Sequence, residues 1–284
     1  MNTQENELKS SHLKQNYWEN TNSDTLQAAK NAMTLGDQQI EGDDFQLYGD
    51  RLCKRIINLY EIYSNKKIEV SSVLEIGCGM GRYALPFSKQ SKFYYGEDIS
   101  EEMIKACINY LNNHNLNNYE IKHNNGLQLQ TTQKLDFIFS TGVFQHIVLF
   151  DVIVNYIKQS MQLLNDNGIF IFQFMGFYTN TSGSGKCGAQ IKAKDLNKYL
   201  KSEDTIKYKI KEINIDPHDP MKQIFIVLEN TNGNENERDF ELFKMTERNF
   251  RTEGIFDDLK SYQSHRDLWS KNAIREINKL TFYT

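Results

Sequence analysis

"VLEIGCGMGR" occupies residues 73–82 and sets three glycines into five positions directly after an apolar run. Glycine gives up more backbone entropy on folding than any other residue, so this density marks a sharp turn or a close approach to the backbone. The flanks say which kind of place it is. "VSSVLEIG" before it reads as a strand and "RYALPFSKQ" after it as a short helix. A strand that turns through glycines into a helix is the opening of a parallel α/β sheet.

The alternation continues downstream. "KFYYGED" reads as a second strand, and "SEEMIKACINYLNN" as a helix with Ser100 as N-cap and Glu101 and Glu102 in its first turn. "YEIKHN", "LDFIFS" and "GIFIFQF" follow as strands. Between the last two, Ile153, Tyr156, Ile157, Met161 and Leu164 trace a helix face that the pattern ends near Asn167-Gly168. Nearly all-apolar strands parted by helices indicate a parallel sheet covered on both faces. "YKIKEINI" and "KQIFIVLEN" have only "DPHDPM" between them, too short for a crossover helix, so they pair antiparallel.

Upstream, Phe45, Tyr48, Leu52, Ile56, Leu59, Tyr60 and Tyr63 recur at helical spacing, and "TNSDTLQAAKNAMTLG" (21–36) offers an earlier helix. Three segments result: a helical cap over residues 1–65, an α/β core over 66–230, and an extension over 231–284. In the last, "NTNGNENERD" reads as a linker and Leu268–Leu280 as helix.

The 284 residues carry a net charge of −4 and no apolar segment of membrane-spanning length. No global positive field attracts nucleic acid, although "IKAKDLNKYLK" gathers lysines on one stretch. The N-terminus lacks the apolar segment of a signal peptide, and Cys53, Cys78, Cys107 and Cys187 form no CxxC pair. A cytoplasmic protein with reduced thiols and no metal is expected. "TNTSGSGKCG" (179–188) lacks both the leading glycine and the Ser/Thr of a phosphate-binding loop, and reads as a flexible loop. His114, His123 and His265 have no partner at metal-ligand spacing and read as surface residues.

Glycine-rich turns of this kind bind nucleotide-like cofactors at the carboxyl ends of the strands. A nicotinamide dinucleotide calls for G-x-G-x-x-G, but here Gly77-Cys78-Gly79-Met80-Gly81 is followed by Arg82. Glu75 just before the turn suits an ammonium better than a pyrophosphate. Asp98, 21 residues beyond Gly77, can accept from both ribose hydroxyls. These pieces suit a cofactor with adenine, ribose and an amino-acid tail but no phosphate.

On these residues the chain resembles the class I S-adenosylmethionine-dependent methyltransferases from about Val70 to Asn230. "VLEIGCGMGR" corresponds to their first motif, "YYGEDIS" to the second strand, "LDFIFSTGVFQHI" to the fourth strand and following loop, and "LLNDNGIFIFQF" to the lead into the fifth. The resemblance implies a Rossmann-like, doubly wound, seven-stranded sheet, mainly parallel with the last strand antiparallel. It implies S-adenosylmethionine as cofactor and S-adenosylhomocysteine as product. Glu75, Gly77, Cys78, Gly79, Gly81 and Arg82 would surround the methionine portion, Asp98 would hold the ribose, and Ile99 and Met103 would pack on adenine. Asn125 and Gly126 stand where the family often places an acid for the adenine amino group. Thr141, Gly142 and Val143 would line the other side, and Trp18, beside Tyr17, would help to close a lid.

The acceptor is narrowed by what is missing. The Asn/Asp-Pro-Pro-aromatic tetrapeptide of base N-methylation and the Pro-Cys of cytosine C5 enzymes are absent, as is a magnesium set of the catechol type. "VFQHI" resembles bacterial enzymes acting on sugars and other small metabolites, in cell-surface glycans or secondary metabolism. The expectation is transfer to an oxygen of such a molecule, with His146 as base and Gln145 orienting the acceptor. N-methylation and cofactor binding without catalysis stay open as alternatives, and a nicotinamide oxidoreductase does not fit the glycine spacing.

Overall fold

The structure, a computed structural model, describes residues 43–147, 150–175, 196, 199–200, 203, 205–215 and 223–231. The earlier helix at 21–36, the loop at 179–188 and the helix at 268–280 lie outside these residues.

Helix α1 (Asp43–Ser64) is followed by a 3-10 turn (Ile68–Val70), strand β1 (Ser72–Ile76), α2 (Ala84–Gln90), β2 (Phe93–Asp98), α3 (Glu101–Asn112), β3 (Tyr119–His123) and β4 (Leu135–Ser140). A 3-10 turn (Phe144–His146), α4 (Phe150–Leu163), β5 (Leu164–Met175), β6 (Tyr208–Ile215) and β7 (Gln223–Asn230) complete the order. The strands form one sheet in the order β3-β2-β1-β4-β5-β7-β6. β1 pairs parallel with β2 and β4, β2 pairs parallel with β3, and β6 and β7 pair antiparallel. The Rossmann-like, doubly wound, seven-stranded sheet that the resemblance implies is therefore present. Its strand order reverses between β1 and β4, which opens a crevice at their carboxyl ends.

The chain divides into two compact units, Met1–Ser140 with Gln162–Ile169, and Thr141–Met161 with Phe170–Thr284. In the first, α1 buries a stripe of Cys53, Ile56, Ile57 and Tyr60, the i, i+3, i+4, i+7 spacing of a core-facing helix. Phe45, Leu52 and Tyr63 are only half-buried at its margin. Asn65, at φ 54°, ends the helix in the left-handed conformation that asparagine tolerates. The core is largely aromatic: Tyr60 stacks on Phe137 and Phe87 on Phe139, each pair with ring centroids 4.6 Å apart. Tyr60 is buried whole because its hydroxyl meets Ser71 Oγ at 2.6 Å.

In the second unit, Phe144 is fully buried against Tyr156, Phe170 and Phe172. The helix before β5 is shorter than its sequence pattern suggested. α4 stops at Leu163, so Leu164 belongs to β5 and Asn167, at φ 59°, turns within the strand segment rather than capping a helix.

Candidate functional site

All three loop glycines have positive φ: Gly77 81°, Gly79 54° and Gly81 94°. No L residue holds that sequence of conformations without strain. The turn hangs on one carbonyl, since Glu97 O accepts from Gly77 N at 2.7 Å and Cys78 N at 3.0 Å. Cys78 is buried, and a Cβ on Gly96 of β2 would stand 3.1 Å from its sulfur. Helix α1 crosses the loop closely: a Cβ on Gly49 would lie 2.2 Å from the Arg82 carbonyl oxygen. Arg82 itself holds its guanidinium 4.7 Å from the centroid of the Tyr83 ring. Met80 and Met103 form a buried cluster with Phe45 and Ala106.

Asp98 ends β2 and reaches back to the glycine turn. Its Oδ2 accepts from Gly79 N at 2.8 Å and its Oδ1 from Ser100 N at 2.9 Å. Burial raises its pKa, while the Ser100 and Gly79 amides pull the other way. Each oxygen keeps lone-pair capacity for a further donor such as a ribose hydroxyl. Ser100 Oγ accepts from Met103 N at 3.4 Å, the N-cap its position suggested. Ile99, half-buried, accepts through its carbonyl from His123 Nε2 at 3.1 Å, in the tautomer protonated there.

Glu75 is 1% exposed and accepts a 2.5 Å hydrogen bond from the Tyr94 hydroxyl. Burial pushes its pKa up to about 8, against the opposing pull of Tyr94 and the Arg82 charge. Asn125 Oδ1 accepts from Leu127 N and Gln128 N, both at 2.9 Å, so a local turn engages both its lone pairs. Gly126, at φ 79°, donates its N–H to Asn124 Oδ1 at 2.7 Å.

Glu97 escaped the sequence reading. It is 1% exposed, and its carboxylate accepts from Asn124 Nδ2 at 2.8 Å, Gln130 N at 3.0 Å and Thr131 N at 2.7 Å. The signal was an acid between Gly96 and Asp98 in an otherwise apolar and aromatic strand. Its side chain fixes the segment after β3 while its carbonyl fixes the glycine turn.

The residues after β4 belong to the second unit. Thr141 is buried with no partner for its hydroxyl among the described residues, and Gly142 adopts φ 73°. Gly142 N donates to Gln173 Oε1 at 3.1 Å. Val143 precedes the 3-10 turn that His146 N closes on the Val143 carbonyl at 2.8 Å. Gln145 Nε2 lies 3.2 Å from His146 Nε2, so it donates there when the imidazole proton is on Nδ1. Gln173, 4% exposed on β5, was also missed, because a lone polar residue in an apolar strand has no motif. Trp18 lies outside the described residues. Among the described residues no group of three or more His, Cys, Asp and Glu is placed to hold a metal ion, and no helix is long and apolar enough to cross a membrane.

A glycine turn tied by amide hydrogen bonds to the acid that ends β2, at the reversal point of a β3-β2-β1-β4-β5-β7-β6 sheet, is the architecture of the class I S-adenosylmethionine-dependent methyltransferases. Residues 74–170 match the model of the methyltransferase domain. It is 31% identical over 97 residues to a probable cobalt-precorrin-6B C(15)-methyltransferase (decarboxylating) of Methanococcus maripaludis, a match covering 34% of this chain. The chain spans about half the length, 52%, of that curated relative. The fold is similar to that of magnesium protoporphyrin IX methyltransferase from Synechocystis PCC 6803, solved with bound SAH. The two share 16% identity and a TM-score of 0.58, with 78% of this chain and 99% of that one covered. The N-methyltransferase NodS from Bradyrhizobium japonicum is similar at a TM-score of 0.50 and 16% identity, covering 67% of this chain and 99% of its own.

Proposed function

We propose that the protein transfers a methyl group from S-adenosylmethionine to a small polar acceptor. The observation that carries this reading is the Asp98 carboxylate, bonded to Gly79 N and Ser100 N with lone pairs left for a ribose. The positive-φ glycines fit the cofactor because they leave the β1 turn without side chains where its tail would lie. On this reading Gly77, Cys78, Gly79, Gly81 and Arg82 enclose the methionine portion, over the buried Glu75. Ile99 and Met103 flank adenine, and Asn125 and Gly126 bound its edge; Thr141, Gly142 and Val143 are given to the cofactor by the resemblance alone. The segment 66–230 is the catalytic core, with 1–65, including Trp18, as its cap and 231–284 as an extension. The free, buried Cys53, Cys78 and Cys107 suit the reducing cytoplasm.

The cofactor supplies a methyl group activated on a sulfonium, and most of the acceleration then comes from alignment. Gln145 orients the acceptor and His146 takes its proton when the acceptor is a hydroxyl. Gln145 must release His146 Nε2 for that nitrogen to serve. The relatives' names speak of precorrin and protoporphyrin rather than sugars, so the expected sugar oxygen has no support among them.

Calorimetric titration with S-adenosylhomocysteine and with NAD tests the cofactor, and binding of NAD alone would overturn the reading. Asp98→Ala removes hydrogen bonds worth about 1.5–3 kcal/mol each, so affinity should fall by roughly a hundredfold or more. Unchanged affinity would sink the ribose assignment. Once an acceptor is found by metabolite screening, His146→Ala should lose turnover and keep cofactor affinity. Normal turnover in that variant would make His146 a turn residue only.

A further inference from the structure

We infer that Gln173 and Gln145 form an acceptor-recognition pair that selects an uncharged group carrying both a hydrogen-bond donor and an acceptor, such as a carboxamide or lactam, over a carboxylate. The inference rests on the methyltransferase reading and names the class of molecule that the site would take.

The orientation of Gln173 is unambiguous. A backbone N–H can only donate, so the atom facing Gly142 N at 3.1 Å must be the side-chain oxygen. The amino group is thereby turned the other way. It is buried and has no acceptor among the described residues. Leaving a buried donor unmade costs about 1–3 kcal/mol, and native interiors rarely retain one without a ligand or water to complete it. Gln145 supplies the opposite polarity. With the imidazole proton on Nδ1, its nitrogen donates to His146 Nε2 at 3.2 Å, and its Oε1 is buried with no donor among the described residues. Each amide is therefore held at one end and bare at the other, one baring a donor and the other an acceptor.

The pair is local, since Gly142, which Gln173 holds, stands three residues before Gln145. Both amides are neutral. From Thr141 to Ile147 there is no Asp, Glu, Lys or Arg, and His146 is the one titratable group. A carboxylate offers acceptors only, so it would satisfy Gln173 but set a negative charge against Gln145 Oε1. Burying that charge without a counterion is costly. A carboxamide or lactam completes both groups with its C=O and N–H. Gln145 is the residue that the proposed function gives to the acceptor, which assigns the pair to the acceptor.

The test uses the full-length, 15N-labelled chain saturated with S-adenosylhomocysteine, with propionamide and sodium propionate as probes. Side-chain amide signals are assigned with Gln173→Leu and Gln145→Leu. Propionamide should shift both amides saturably, and Gln173→Leu should weaken its binding at least tenfold while S-adenosylhomocysteine binds as before. Gln173→Glu, which keeps the acceptor for Gly142 N but loses the donor, should abolish the shift at Gln145 even if the leucine variant does not fold. Propionate acting as well as propionamide, neither probe moving the amides, or S-adenosylhomocysteine alone producing the full shift would each overturn the proposal. Failure of S-adenosylhomocysteine to bind would instead strike the methyltransferase reading, and the same titration on the free chain still decides the amide pair.

Discussion

Glu75 shows how much one buried side chain governs. Its carboxyl is driven up to about 8 by burial, from an ordinary value of 4.5. Between those values the folded chain holds a proton that the unfolded chain has lost. Stability therefore falls as pH rises from about 4.5 towards 8, by at most about 1.4 kcal/mol per pH unit for one group. Urea unfolding at pH 5.5 and 7.5 should show this loss in the native chain and a smaller one in Glu75→Gln. Equal losses in both would mean that Glu75 titrates normally. If the acid lies beside the cofactor as proposed, a sulfonium or ammonium nearby favours the carboxylate, so cofactor uptake near pH 7 should release protons. Binding enthalpies measured in two buffers of different ionisation heat read that release, and identical enthalpies would count against it.

At the scale of elements, α1 and the glycine turn are fitted together backbone to backbone. An exposed helix interior gains about 1 kcal/mol when glycine becomes alanine. Gly49→Ala should do the reverse, because the new methyl group meets the Arg82 carbonyl 2.2 Å away and neither backbone yields cheaply. We expect a loss of about 1–3 kcal/mol by denaturant unfolding, and a gain would mean that α1 packs differently. The segment after β3 depends likewise on Glu97. Glu97→Val strands the Thr131 amide and should cost about 1–3 kcal/mol, with faster hydrogen exchange at Gln130 and Thr131. Protection unchanged from the native chain would refute that role. Elements with strong local signals were legible in the sequence: the Ser100 cap, the α1 periodicity and the β6–β7 hairpin all stand as their residues suggest. The end of α4 was not, because Asn167-Gly168 carries the composition of a helix stop while serving a turn inside the β5 segment.

For the molecule as a whole, alternation of apolar strands with helices indicated a parallel sheet, the glycine spacing with Glu75 and Asp98 pointed to a cofactor without phosphate, and the four motifs that resemble the methyltransferases supplied the seven strands and S-adenosylmethionine. The partners of Glu97 and Gln173 were not legible, because they lie some 30 residues away along the chain and meet only once the strands are assembled. A ligand that binds only the folded chain stabilises it by about 2.7 kcal/mol at a hundred times its Kd. S-adenosylhomocysteine at that level should raise the Tm by several degrees, and no rise would leave the chain without its proposed cofactor. One consequence follows from Glu97, whose carbonyl anchors the glycine turn and whose carboxylate anchors residues 130 and 131. The glycine turn and the segment after β3, both assigned to the proposed nucleoside site, are staked to a single residue. Cofactor analogues enlarged on the adenine edge will find no slack there, and trimming exposed loop side chains will not create it. Shortening the stake itself, as Glu97→Asp does, is the change that would admit a bulkier nucleoside, at the expense of the grip on residues 130 and 131, while the main-chain carbonyl still holds the glycine turn.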